Sequence, residues 1–134
     1  MEGIPDEVFD YAHSSHCLEH LSDPITALRN WYRIIRPGGT LIVVVPHRNL
    51  YEKKTLLPSR FNVDHKHFYL PWWNEPPHTL GLLQTAHEAL GANVWLISLR
   101  VLDDNYKPGP SPLDHPGGEY SIEMILKKPP VPTW

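Results

Sequence analysis

The first third of the chain alternates apolar and amphipathic segments in a pattern that predicts a βαβ unit. Residues 8–14 mix apolar and small side chains over a short length, which is typical of a buried parallel strand. Asp23-Pro24 is suited to begin a helix, whose apolar stripe consists of Ile25, Leu28, Tyr32 and Ile35. Arg36-Pro37-Gly38-Gly39 is expected to end that helix. Residues 40–45 are nearly all β-branched and apolar, which predicts a central strand covered on both faces.

The remaining segments predict one more helix and an antiparallel strand pair. Residues 47–78 show no clean period and indicate an irregular excursion above the sheet, with a short helix near Tyr51. An apolar stripe predicts a helix over residues 79–90. Residues 93–101 and 119–126 have strand patterns, and only a proline- and glycine-rich loop separates them. The fold class is therefore α/β, with parallel strands and an antiparallel pair at a sheet edge.

Composition narrows the class of protein. The 134 residues suffice for one domain, expected over residues 1–128, followed by an extended tail over 129–134. A net charge of −3 argues against a nucleic-acid partner and favours a small-molecule or glycan substrate. Cys17 is the only cysteine, which fits a reducing compartment. The sequence shows neither an apolar run of the roughly 20 residues that span a bilayer nor the pattern of a signal peptide. We expect a cytoplasmic protein without membrane contact.

Candidate chemistry follows the first predicted strand. His16, Glu19 and His20 have i, i+3, i+4 spacing, so their side chains would point the same way on a helical turn. Imidazole and carboxylate groups are good ligands for divalent transition metals, and three such ligands leave a position open for catalysis. His65 is a candidate fourth ligand. The cluster therefore predicts a metal site or an acid–base site at the end of this strand.

Several motifs together resemble the class I S-adenosylmethionine-dependent methyltransferases, in their fourth strand, the next helix and the fifth strand. These motifs are Phe9-Asp10, the run from Ser14 to Leu21, Asp23-Pro24, the run from Arg33 to Gly39, and Val43-Val44-Val45-Pro46. The later segments are similar to the closing part of that fold. The resemblance implies the C-terminal half of a Rossmann-like sheet and S-adenosylmethionine as cofactor, with Ser14 and Ser15 lining the cofactor side. It also implies methyl transfer to an oxygen or nitrogen nucleophile.

One feature of that family is missing from the sequence. Its members hold the cofactor with a Gly-x-Gly turn after their first strand, where backbone must approach the ligand closely. None of the eight glycines forms such a turn, and residues 1–7 alone precede the first predicted strand. We therefore interpret the chain as an incomplete enzyme, the acceptor-side fragment, whose exposed strand edge would pair with an upstream half or a second copy. The alternative is a catalytically inactive remnant that acts as a binding or dimerisation module.

The metal hypothesis also has support from a resemblance. Small-RNA 2′-O-methyltransferases carry Glu-x-x-Glu-His after the fourth strand and a downstream Asp-His, and some quinone-biosynthesis O-methyltransferases look similar in the first cluster. The matching positions here imply His16, Glu19, His20 and His65 as metal ligands. Because His16 replaces a carboxylate, the preference shifts from magnesium toward manganese, iron or zinc.

Two other interpretations of the cluster stay open. Without a metal, His20 or His16 would be the general base for an acceptor hydroxyl, and Glu19 would orient that histidine. The spacing also matches an inverted zinc-protease motif. That motif requires a long helix, however, and Asp23-Pro24 begins a new helix within three residues. The catalytic residues expected from the sequence are therefore His16, Glu19 and His20.

Overall fold

A computed structural model describes residues 3–131, in which a four-stranded sheet is covered by two helices. The sheet strands are β1 (Phe9–Ser15), β2 (Ile35–Pro46), β5 (Trp95–Leu102) and β6 (Ser121–Lys127), and a separate short pair consists of β3 (Phe68–Leu70) and β4 (Thr79–Gly81). The helices are α1 (Pro24–Arg33) and α2 (Leu82–Leu90). A 3-10 turn spans Leu18–His20, and a π-helical turn spans Arg48–Glu52. No helix in this part of the chain is long and apolar enough to cross a bilayer.

The sheet has the order β1-β2-β6-β5, which confirms the predicted fold class. Strand β1 runs parallel to β2, and β6 is antiparallel to both β2 and β5. Alternate residues of the two central strands face the helices and form the core with Leu28 of α1: Leu41, Val43, Val45, Ile122, Met124 and Leu126. This arrangement leaves the C-terminal ends of β1 and β2 at one edge of the sheet, where the irregular segments gather.

The Pro37-Gly38-Gly39 segment does not lie between helix and strand as expected, because it belongs to β2. Phe9 pairs with Ile35 but Tyr11 pairs with Thr40, so the extra residues form a bulge. The backbone N–H of Gly38 donates to the Lys128 carbonyl (2.8 Å), and the N–H of Lys128 donates to Gly39 (2.9 Å). Helix α1 accordingly ends earlier, at Arg33. Pairing with the far end of the chain extends the strand.

Three further expectations need correction. The helix predicted over residues 79–90 begins only at Leu82, because Thr79–Gly81 pairs with β3. Strand β1 lies at the sheet edge and is largely exposed rather than buried. Strand β2 is buried on both faces only toward its C-terminal end, because Thr40 and Ile42 are half-buried on the face where Val44 is buried. The extended tail predicted over 129–134 lies outside the described residues from 132 onward.

Charged side chains of the irregular segment over residues 47–78 make specific contacts with other parts of the chain. Arg48 is buried and donates to Glu75 (2.5 Å) and to the Thr79 hydroxyl (3.2 Å). The Lys53 ammonium donates to the carbonyls of Pro108 and Asp114. The Arg48 bonds thus join the π-helical turn to the start of β4, and the Lys53 bonds join the end of this turn to the loop between β5 and β6.

Candidate active site

The turn that follows β1 places one acidic side chain in the protein interior. His16 has a φ of +53°, so the chain leaves the strand direction at that residue. Leu18 is fully buried in the core and anchors the 3-10 turn. Glu19 comes next and is only 1% exposed. The burial of a hydrophobic neighbour therefore forces a carboxylate below the surface at the C-terminal end of a parallel strand.

The buried Glu19 carboxylate has no conventional partner. Neither of its oxygens makes a well-formed hydrogen bond with any residue of the described range 3–131. Burial is the main cause that raises the pKa of Glu19 above its usual value, although its own backbone N–H, His65 and His20 oppose the shift. A buried and unpaired carboxylate destabilises a fold by several kcal/mol unless a cation or proton compensates it. The buried carboxylate therefore requires either a proton or a cation to compensate its burial.

Two imidazoles converge on this carboxylate. The Nε2 atom of His20 lies 3.8 Å from Glu19 Oε2, and the Nε2 atom of His65 lies 3.9 Å from the same oxygen. The three ligand atoms lie within 4.8 Å of one another. His65 is buried, whereas the His20 side chain is 27% exposed. The structure thus brings three of the four predicted metal ligands into one group with access to solvent through His20.

The segment that carries His65 is bound directly to the 3-10 turn. The backbone N–H of Lys66 donates to the Glu19 carbonyl (2.7 Å), and the N–H of His65 donates to the Asn62 carbonyl (3.1 Å). The Asn62 side chain accepts from the N–H of Asp64 (3.1 Å), which is a local turn that asparagine favours. Because of these bonds, residues 44 positions apart in the chain reach the same point.

Each imidazole has a carboxylate on its other nitrogen, and the sequence analysis identified neither carboxylate. His65 Nδ1 lies 2.5 Å from Glu52 Oε1, and His20 Nδ1 lies 3.0 Å from Asp64 Oδ2. Asp64 precedes His65 in the Asp-His motif, which is a sequence signal that could have indicated its role. Glu52 lies in a segment without periodicity, and no local signal indicates its role.

His16 lies outside the group of three, and its role as a ligand stays a prediction. Its Nε2 atom is 2.9 Å from the Ser121 hydroxyl oxygen at the start of β6. Partial burial, with smaller effects of His65 and His20, lowers the pKa of His16 below its usual value. The imidazole is therefore neutral at neutral pH, and its place at the end of β1 suits a proton acceptor.

An open cleft of about 400 Å³ runs along the end of β1 and contains both predicted cofactor-binding residues. Its wall includes Ser14, Ser15, Cys17 and Trp31. The Ser14 hydroxyl is buried and has no hydrogen-bond partner within the described residues. Since Ser15 and Cys17 flank His16, the cleft and the Glu19 cluster are joined by a single short stretch of chain. The cleft can therefore accept a polar ligand beside the cluster.

Aromatic rings form a wall on the other side of the cluster. Tyr51 is buried, and its ring centroid lies 4.7 Å from that of Tyr120 and 5.7 Å from that of His65. Burial, followed by Tyr120 and Glu52, raises the pKa of Tyr51 to about 12, so this phenol stays protonated. Trp72 and Trp73 of the neighbouring irregular segment are exposed. The wall therefore packs directly against the His65 ring.

Comparisons with known proteins identify the family to which the chain belongs. The family model described as "Methyltransferase domain" matches residues 2–88. The chain belongs to this methyltransferase family. A segment of 41 residues is 42% identical to the ubiquinone/menaquinone biosynthesis C-methyltransferase UbiE of Vibrio campbellii, and covers 31% of this chain and 16% of that protein. The matching part is thus a small share of the curated relative's length.

Solved structures of methyltransferases have the same fold. A S-adenosylmethionine-dependent methyltransferase of Thermotoga maritima is 21% identical with a TM-score of 0.59, and the match covers 96% of this chain and 60% of that one. A second methyltransferase, of Methanosarcina mazei, is 16% identical with a TM-score of 0.59, over 98% of this chain and 64% of that one. These likenesses confirm a Rossmann-like methyltransferase fold, and the chain spans about three fifths of these structures.

Proposed function

We propose that the chain supplies the acceptor side of an enzyme that transfers a methyl group from S-adenosylmethionine to an oxygen or nitrogen nucleophile. The observation that carries the proposal is the convergence of Glu19, His20 and His65 beside the Ser14–Ser15 cleft at the C-terminal end of β1. Open α/β sheets bind their ligands at this edge. Membership of the methyltransferase family supports the cofactor.

We further propose that Glu19, His20 and His65 hold a divalent metal ion. The residues fit such an ion because the buried Glu19 oxygens have no other partner in the described part of the chain. Two imidazoles and one carboxylate favour manganese, iron or zinc over magnesium, which prefers oxygen ligands. A bound divalent ion would lower the pKa of a hydroxyl group of the acceptor.

The chain's own residues would orient the acceptor and receive its proton. His16 is neutral and directly follows the cleft residue Ser15 at the end of β1, and we expect it to accept a proton from an acceptor hydroxyl or amine. The hydrogen bond with Ser121 fixes its ring. Methyl transfer is an in-line displacement, so holding donor and acceptor in the right geometry contributes most of the rate. The rings of Tyr120 and Tyr51 pack beside His16 and would shield this point from bulk water.

Calorimetry with S-adenosylmethionine tests the cofactor proposal. We expect the wild-type protein to bind, and Ser15→Trp to weaken binding by about 10-fold or more because the indole would fill the cleft. Ser22→Trp is the matched control, since Ser22 is exposed and outside the cleft wall. Absence of binding by the wild-type protein, or equal binding by Ser15→Trp, would contradict the proposal that this cleft of the chain holds the cofactor.

Elemental analysis of the purified protein tests the metal proposal. We expect one divalent transition metal per chain in the wild-type protein and its loss in His65→Ala, because the imidazole supplies one of three ligands. His67→Ala is the control: it lies two residues away and contacts the Ser22 carbonyl at 3.4 Å. Equal metal content in all three proteins, or none in the wild type, would overturn the proposal.

A further inference from the structure

The two imidazoles of the cluster share one arrangement. In each ring the Nδ1 atom lies within hydrogen-bond distance of a carboxylate, and the Nε2 atom faces Glu19. The carboxylate belongs to Glu52 for His65 and to Asp64 for His20. A carboxylate only accepts hydrogen bonds, so the ring nitrogen beside it must carry the proton. In a neutral imidazole the other nitrogen then has a free lone pair, which a metal ion requires.

We propose that Glu52 is a positioning residue that holds His65 in the Nδ1–H tautomer and thereby directs its Nε2 lone pair toward Glu19 and His20. Asp64 has the same relation to His20. Neither carboxylate is part of the group of three ligands. The effect of both residues on metal binding rests on the proposed function, whereas their effect on the tautomers does not.

The Glu52 carboxylate is more buried than that of Asp64, and hydrogen bonds to both of its oxygens fix its position. Glu52 is 1% exposed, and its second oxygen accepts a hydrogen bond from the Ser59 hydroxyl. The Ser59 oxygen in turn accepts from the N–H groups of Phe61 (3.4 Å) and Asn62 (3.2 Å), which belong to the loop that carries His65. The π-helical turn and the histidine loop are therefore joined through the Glu52 carboxylate.

Asp64 can be compared with Glu52 because it makes the same contact with an imidazole but is exposed to solvent. Its side chain is 65% exposed, and water competes for the same oxygens. We therefore expect the two carboxylates to differ in effect, with Glu52 much the stronger.

Nitrogen NMR of the metal-free protein at about pH 8, where an ordinary imidazole is neutral, tests the tautomer directly. We expect His65 of the wild-type protein to carry its proton on Nδ1. In Glu52→Ala we expect a mixture or the Nε2–H form, while Asp64→Ala leaves His65 unchanged. A purely structural role of Glu52 would leave the His65 tautomer as it is. A wild-type His65 in the Nε2–H form, or an unaltered tautomer in Glu52→Ala, would overturn the proposal.

Metal titration separates this inference from the proposed function. We expect Glu52→Gln to weaken the binding of Co²⁺ or Zn²⁺ by about 10–100-fold and to change the visible spectrum of bound Co²⁺. Asp64→Asn should weaken binding by less than about threefold, as befits an exposed contact. Wild-type affinity and spectrum in Glu52→Gln would refute the inference alone. Absence of metal binding in the wild type would refute the proposed metal site and leave the tautomer result standing.

Discussion

Glu19→Gln is expected to abolish divalent metal binding and, at the same time, to stabilise the metal-free protein. The carboxylate is the one anionic ligand of the group, and an amide is a poor substitute toward a cation. We expect the affinity to fall by more than about 100-fold, beyond the loss typical of residues that only support a ligand. Without metal, the same substitution removes a buried charge whose oxygens have no hydrogen-bond partner in the described residues.

The gain in stability has a physical cause that can be bounded. An unsatisfied buried polar group costs about 1–3 kcal/mol, and the introduced amide can donate to the free Nε2 atoms of His20 and His65. We therefore expect the free energy of unfolding of the metal-free protein to rise by about 1–2 kcal/mol, measured by urea denaturation in the presence of a chelator. Functional sites often store such instability.

Glu88→Gln is the control for the change in net charge. Glu88 is exposed on α2 and accepts from Gln84 (3.2 Å), so its neutralisation should change stability by less than about 0.5 kcal/mol. Metal affinity should stay at the wild-type value. If Glu19→Gln binds the metal as the wild-type protein does, Glu19 is not a metal ligand. If the substitution destabilises the metal-free protein, the buried carboxylate is not a source of instability.

The parts of the fold that depend on neighbouring residues could be predicted from the sequence. The βαβ order followed from the apolar pattern, and the start of α1 followed from Asp23-Pro24, where the Asp23 side chain accepts from the N–H of Thr26 (3.1 Å). The start of β2 could not be predicted in this way. Its first residues pair with Lys128, almost at the other end of the chain, and no local pattern reports that contact.

For the candidate site too, features that depend on sequence neighbours could be predicted, whereas features that depend on tertiary contacts could not. The spacing of Glu19 and His20 placed them together because both lie on the 3-10 turn. For His16 the same argument assumed one continuous helical turn, but the chain has a positive φ at that residue and the turn begins only afterward. Glu52 was missed because its contact with His65 is purely tertiary, across an irregular segment.

Gly118→Ala is expected to be among the most destabilising single changes in the chain. Gly118 has a φ of +73°, and a Cβ there would lie 2.1 Å from the Asn105 carbonyl oxygen, which is backbone and has no side-chain freedom to move away. The left-handed conformation and the steric conflict together should lower the free energy of unfolding by about 3 kcal/mol. Urea denaturation with an unchanged m-value measures this loss.

Gly117→Ala is a matched control one residue away. A Cβ on Gly117 would meet only the Lys107 side chain, at an ordinary distance of 3.8 Å. We expect the free energy of unfolding to change by less than about 0.5 kcal/mol, although Gly117 belongs to the same loop and exchanges two backbone hydrogen bonds with Lys107. A Gly118→Ala protein as stable as Gly117→Ala would contradict the prediction and show that the loop rearranges to accommodate the methyl group.

The Gly118 substitution also tests whether the loop between β5 and β6 supports the site. The loop leads directly into Tyr120, whose ring packs against Tyr51 and approaches His16. A displaced loop should expose Tyr51 and shift its pKa from about 12 back toward the ordinary value near 10, because burial is the main cause of the elevation. Ultraviolet titration of the tyrosines in the folded variant measures this change. A stable Gly118→Ala protein with an unchanged Tyr51 would show that the aromatic wall forms without the loop.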